Sequence, residues 1–172
     1  MIHLNIGSNL NSRFGSRFDN ITIAIDLLLS SKVKIKKISN FYETPSYPNK
    51  KFPNYLNVGV LCLYNENPKI LFKLIKSIEK KIGRFKSKKN DPRVCDIDII
   101  DYNSDVVKKD FITIPHSRCH KRNFVLYPIK EIDPNWNHPI SRQNVNNLIK
   151  KLDFKSRIEI TRLSKNVNIK YD

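Results

Sequence analysis

The chain predicts an α+β fold: a ferredoxin-like split βαβ sandwich, with an antiparallel-rich sheet and helices on its faces. Two observations carry this. Short runs rich in β-branched residues alternate with two stripes of helical spacing, in the order strand, helix, strand, strand, helix, strand. Turn residues separate these runs at short intervals, with no internal repeat and no linker, so one domain over 1–172 is expected.

The elements follow in order. Met1 to Ile6 reads as a first strand, and Gly7-Ser8-Asn9-Leu10 as the turn after it. Phe18, Ile21, Ala24, Ile25, Leu28 and Leu29 recur with helical spacing behind Ser16, a cap candidate. Val33 to Thr44 reads as a second strand, ended by Pro45. Pro45, Pro48 and Pro53 restrict an exposed loop over 46–53. Asn54 to Leu63 reads as a third strand. Asn67-Pro68 starts a second helix, with Ile70, Leu71, Leu74, Ile75, Ile78 and Ile82 inward and Gly83 ending it. Glu79 near its C-terminal end opposes the helix dipole, and its residue type predicts exposure.

Val94 to Ile100 is the stretch around which the rest is organised. Alternation puts Asp96 and Asp98 on one face and Cys95, Ile97 and Ile99 on the other. Two carboxylates roughly 7 Å apart along a strand can converge on a hard cation or bracket a pair of them. A basic loop, Arg84 to Arg93, leads into this strand with counter-charge for a polyphosphate. Downstream, Ser104 to Asp110 reads as a turn or hairpin, and Phe111 to Ile114 as a short strand. His116 to Phe124 carries His116, Arg118, His120, Lys121 and Arg122. His116, Cys119 and His120 suggest zinc, but no second ligand pair stands at a structural-zinc spacing. Phe124 to Ile132 and Asn144 to Leu152 read as helices, and Ser156 to Ile169 as a last strand and basic tail.

The 172 residues carry a net charge of +16, from 32 basic and 16 acidic side chains. That balance favours phosphate-bearing partners, although abundant lysine, asparagine and isoleucine also point to compositional bias. Three scattered cysteines fit free thiols in a reducing compartment. With no signal peptide and no bilayer-spanning run, a cytoplasmic protein without membrane partners is expected.

Seven pieces occur in order: Gly7-Ser8-Asn9-Leu10, Phe41-Tyr42-Glu43-Thr44-Pro45, Tyr55-Leu56-Asn57, Gly83-Arg84, Pro92 to Asp98, Pro115-His116 and Arg122-Asn123-Phe124. Together, over roughly residues 1 to 140, they resemble the 6-hydroxymethyl-7,8-dihydropterin pyrophosphokinase family of the folate pathway. The resemblance implies an ATP-dependent transfer of pyrophosphate to the hydroxymethyl-dihydropterin, giving AMP and the pterin diphosphate. It implies two magnesium ions on Asp96 and Asp98, and catalysis by these with Arg84 and Arg93. Glu79, Arg84, Lys86, Arg93, His116 and Arg122 are implied at the nucleotide. Tyr55 and Phe124 are implied to sandwich the pterin, with Thr44, Pro45 and Asn57 reading its polar edge. Asn90 replaces the family's frequent tryptophan, and Lys86 a frequent arginine.

The implied partners are small molecules, with no nucleic acid, and the expected state is a monomer. A nucleotidyltransferase also pairs Gly-Ser with strand aspartates, but shortly before them, whereas Gly7-Ser8 stands far upstream of Asp96. A basic nucleic-acid module accounts for the charge but lacks a recognisable motif.

Overall fold

The computed structural model describes residues 1–85 and 91–169. A mixed sheet-and-helix architecture is present. Its main sheet runs in the order β5 (Asp96–Tyr102), β1 (Ile2–Ser8), β4 (Tyr55–Leu63), β3 (Tyr42–Thr44), β8 (Thr161–Arg162), with β2 (Lys34–Ile38) also on β4. Every pairing in it is antiparallel. A separate hairpin joins β6 (Val107–Lys109) to β7 (Ile112–Ile114).

Local chemistry sets the helix ends. Helix α1 (Arg17–Ser30) is capped by Ser16, whose backbone N–H donates to Asp19 Oδ2 at 2.7 Å in a reciprocal capping box. Helix α2 (Pro68–Ile82) begins at Asn67, whose Oδ1 accepts from the amides of Lys69 and Ile70. It ends at Gly83, with φ of 109°, a left-handed cap that glycine adopts without a β-carbon penalty. Within the predicted stripe of α2, Ile70 is exposed.

The two faces of the sheet have different occupants. Ile2, Leu4, Ile6, Val58, Val60, Ile97 and Ile99 join α1 and α2 in one apolar core. The opposite face holds Gly59, against which Pro128 and Ile132 of α3 (Asn123–Ile132) pack. A second core forms there from α3, α4 (Val145–Lys151), Trp136 and Ile100. A bulge interrupts the β1–β5 ladder: Leu4 opposes Ile99 but His3 opposes Asp101, so Ile100 is an extra residue.

Three sequence expectations need correction. β1 continues through Gly7 and Ser8 instead of turning there, because both pair with β4. The single strand expected over 33–44 is two strands on one edge of β4. Between them Ser39 keeps bonding to Gly59, Asn40 turns to Glu131 and Phe41 enters the core against Phe18. The last strand expected over 156–169 is mostly something else. Asp153 caps a short helix, α5 (Phe154–Ile158), and β8 contributes only Thr161 and Arg162 to the sheet.

Candidate active site

The face that carries α3 is covered only at one end. At the other end lies a cavity of about 400 Å³. Its floor comes from alternate residues of three adjacent strands: Asn5 and Gly7 of β1, Asn57 of β4, and Asp96 and Asp98 of β5. The expected alternation of β5 therefore holds, with Ile97 and Ile99 in the opposite core.

Asp96 sits between two arginines. Arg84 Nη1 donates to its Oδ1 at 2.6 Å, and Arg93 Nη1 to its Oδ2 at 2.9 Å. Asp98 Oδ2 accepts from Arg122 Nη1 at 3.3 Å, and His116 Nε2 lies 3.9 Å away. The two carboxylates keep 24% and 28% of their side-chain surface exposed, so they remain reachable from the cavity. Burial raises the Asp98 pKa, the charge on Asp96 adds to this, and His116 and Arg122 oppose it. His116 Nδ1 accepts from the Arg118 amide at 3.1 Å, and its Nε2 faces both Asp98 and, at 3.5 Å, Arg122 Nη1. Burial holds the His116 pKa below the ordinary histidine value.

Glu79 differs from the exposed residue its type suggested, being 2% exposed. Its Oε1 accepts from the Ile97 amide at 2.9 Å and pairs with Arg84, while Oε2 takes Lys76 at 2.9 Å. Burial raises its pKa despite these partners. Glu79 lies behind Arg84, on which it bears, and is not in the wall of the cavity.

The remaining walls are aromatic and polar. Tyr55 and Phe124 both line the cavity, as do Thr44, Pro45 and Asn57. Arg122 stacks over the Phe124 ring at 5.3 Å. Asn5 Nδ2 donates to Asn57 Oδ1 at 3.2 Å, but Asn57 Nδ2 and Asn5 Oδ1 are buried without a partner among the described residues. Buried polar atoms left open at a cavity floor are suited to a ligand's polar edge. Lys86 and Asn90 lie outside the described residues. His116 lines a neighbouring cavity of about 840 Å³ with His120 and His138.

Sequence reading missed several residues. Asn9 is buried and ties three segments together: Oδ1 accepts from the Arg93 amide at 2.6 Å, and Nδ2 donates to Ser46 Oγ and to the Pro53 carbonyl at 3.2 Å each. Only its place after Gly7-Ser8 could have signalled it. Asn5, Arg118 and Lys121 also line the cavity, as do Ser156 and Glu159 near the C-terminus. The histidine-cysteine cluster gathers Cys119, His120 and His138 within 4.8 Å, with His138 in place of His116. His138 Nδ1 accepts from the amides of Ile140 and Ser141 at 3.2 Å, so its other nitrogen carries the proton, the wrong form for a metal ligand.

The chain is similar to known proteins of one family. The family described as 7,8-dihydro-6-hydroxymethylpterin-pyrophosphokinase (HPPK) matches residues 3–134. The 2-amino-4-hydroxy-6-hydroxymethyldihydropteridine pyrophosphokinase of Aquifex aeolicus is 36% identical over 142 residues, 83% of this chain and 86% of that protein. Its Synechocystis counterpart is 32% identical, over 84% of this chain and 74% of that protein. Among solved structures, wild-type Plasmodium falciparum HPPK-DHPS superposes with a TM-score of 0.68 at 14% identity, covering 94% of this chain. That likeness shows the ferredoxin-like fold, and this chain spans 47% of that solved chain. On the extent of the family match and the identity to the Aquifex protein, the chain belongs to the 7,8-dihydro-6-hydroxymethylpterin-pyrophosphokinase family.

Proposed function

We propose that this chain carries out its family's reaction in folate biosynthesis: ATP and 6-hydroxymethyl-7,8-dihydropterin give AMP and the pterin diphosphate. The observation that supports this most directly is the shared floor. Asp96 and Asp98 stand on the same sheet face as Asn57, within one cavity walled by Tyr55 and Phe124.

A pterin is flat and polar at one edge. Tyr55 and Phe124 supply aromatic faces for it. The open amide atoms of Asn57 and Asn5, with Thr44 and Pro45 beside them, read its edge. The acceptor hydroxyl then attacks the β-phosphorus, the bond to the bridging oxygen breaks, and AMP leaves with that oxygen. The hydroxyl proton is released. Such transfers need alignment and charge neutralisation more than covalent help. Arg84, Arg93 and Arg122 converge on the two carboxylates and provide that positive charge for the phosphates. His116 stands beside Arg122 on the nucleotide side. Glu79 supports the nucleotide end by holding Arg84. Lys86 joins this set by the family resemblance.

The carboxylates fit magnesium as hard oxygen donors on one face, partly exposed, once the arginines now paired with them turn to the phosphates. Asp96 and Asp98 would hold two such ions, which neutralise phosphate charge and make the acceptor hydroxyl more acidic.

The same reading takes the chain as one domain and a cytoplasmic monomer acting on small molecules. No described helix is long and apolar enough to cross a membrane. The test is AMP release from magnesium-ATP on addition of the hydroxymethyl-dihydropterin. Pterin-dependent AMP with a diphosphorylated product is expected; none under any magnesium concentration overturns the reading.

A further inference from the structure

The family match ends at residue 134, yet Ser156 and Glu159 line the same cavity as Tyr55 and Phe124. Polar contacts help to hold this C-terminal wall in place. Asn123, the residue before Phe124, donates from Nδ2 to the Ser156 carbonyl at 2.6 Å. Further on, Arg162 reaches Glu131 at 3.2 Å and β8 pairs with β3. No residue of α5 is buried, and Phe154 and Ile158 are 69% and 61% exposed. Just beyond α5, Leu163 packs on the main core and its amide donates to the Phe41 carbonyl at 2.8 Å, which anchors the wall.

Across the mouth stands the proline-bounded loop. Its two ends are pinned, since Asn9 Nδ2 donates to both Ser46 Oγ and the Pro53 carbonyl. Its tip is not. Among the described residues, the one hydrogen bond or ion pair from residues 47–52 to another element is Lys50 Nζ to Glu159 Oε1, at 2.5 Å. The tip also carries Tyr47, which lines the cavity while 85% exposed.

We propose that Lys50 and Glu159 form a latch across the cavity mouth, fastening the loop tip with Tyr47 to the C-terminal wall and slowing escape of the bound heterocycle. Both are positioning residues that act through the loop. The pair is ionic and partly exposed, so it is weak and salt-sensitive by nature, which suits a closure that must also open. The part concerning the heterocycle rests on the reaction proposed above.

The test uses the full chain with Glu159→Gln, Lys50→Glu and the double swap K50E/E159K. One readout is amide hydrogen exchange at residues 47–52 without substrate. The other is KM for the pterin at saturating magnesium-ATP. Glu159→Gln should speed tip exchange and raise pterin KM by about two- to fivefold, the range an exposed ion pair supports, with a smaller change in kcat. Lys50→Glu should act more strongly, the swap should restore both readouts, and high salt should erase the difference. Unchanged exchange and KM in the single variants, or a swap that fails to restore them, overturns the latch. A wild-type chain that makes no AMP while tip exchange still responds overturns the assigned reaction and leaves the latch standing.

Discussion

Gly7 pairs across the sheet with Asn57, and a β-carbon on Gly7 would lie 2.8 Å from Asn57 Oδ1. Gly7 also opposes Asp96 on its other side, so this glycine keeps the floor flat between the amide and the acid. Gly7→Ala should push the Asn57 amide out of line and raise pterin KM by about fivefold or more, from misplacing one buried hydrogen bond. Its melting temperature should move little. Steady-state kinetics beside thermal melts check this.

Asp96→Asn and Asp98→Asn remove a charge without changing shape. Each should lower magnesium-dependent turnover by about a hundredfold or more, the scale on which lost electrostatic stabilisation is felt. Circular dichroism should show an unchanged fold. Near-normal AMP release in both variants would refute the metal assignment.

Glu79 is a buried acid whose partners stay behind when it is removed. Glu79→Ala should cost about 2–4 kcal/mol of stability, because the buried Ile97 amide loses its acceptor and Arg84 keeps only Asp96. Glu79→Gln keeps an acceptor for Ile97 and should cost less. Urea titration separates the two. Activity should fall in both, since Arg84 loses its rear support.

His3 lies buried against Asp133, 3.0 Å away, and near Asp101, with Trp136 beside it. Burial lowers its pKa below the ordinary 6.5, and the two acids only partly offset this. Above 6.5 it is neutral both folded and unfolded. As pH falls through that value, the unfolded chain takes up the proton first, so stability is lost. Denaturation midpoints should drop between pH 7.5 and 5.5, and His3→Gln should flatten the slope.

Gly59 marks the contact between β4 and α3. A β-carbon there would meet Pro128 Cβ at 2.8 Å and the Pro128 backbone at 3.2 Å. Gly59→Ala should therefore destabilise the protein by about 1–3 kcal/mol through overpacking. Chemical denaturation measures it.

The sequence made visible what alternation and capping encode. Asp96 and Asp98 share a face as their spacing required, and Ser16, Asn67 and Gly83 end helices as their chemistry dictates. Residues fixed by distant partners stayed hidden. Asn9 and Asn5 do their work through contacts far along the chain, to Arg93, Pro53 and Asn57, and no periodicity reports such contacts. Glu79 did leave a trace, since it lies four residues after Ile75 on the buried stripe, but residue type outweighed position. The tail misled because Asp153 caps a helix that the following residues alone do not announce.

The extra residue at Ile100 has a consequence for the acids on either side of it. With unbroken alternation, Asp101 would face Ile2 and Leu4, a carboxylate stranded in hydrocarbon. The bulge resets the phase, and Asp101 instead accepts from Trp136 Nε1 at 2.7 Å. One edge strand thus delivers three acids to the same side despite their odd spacing.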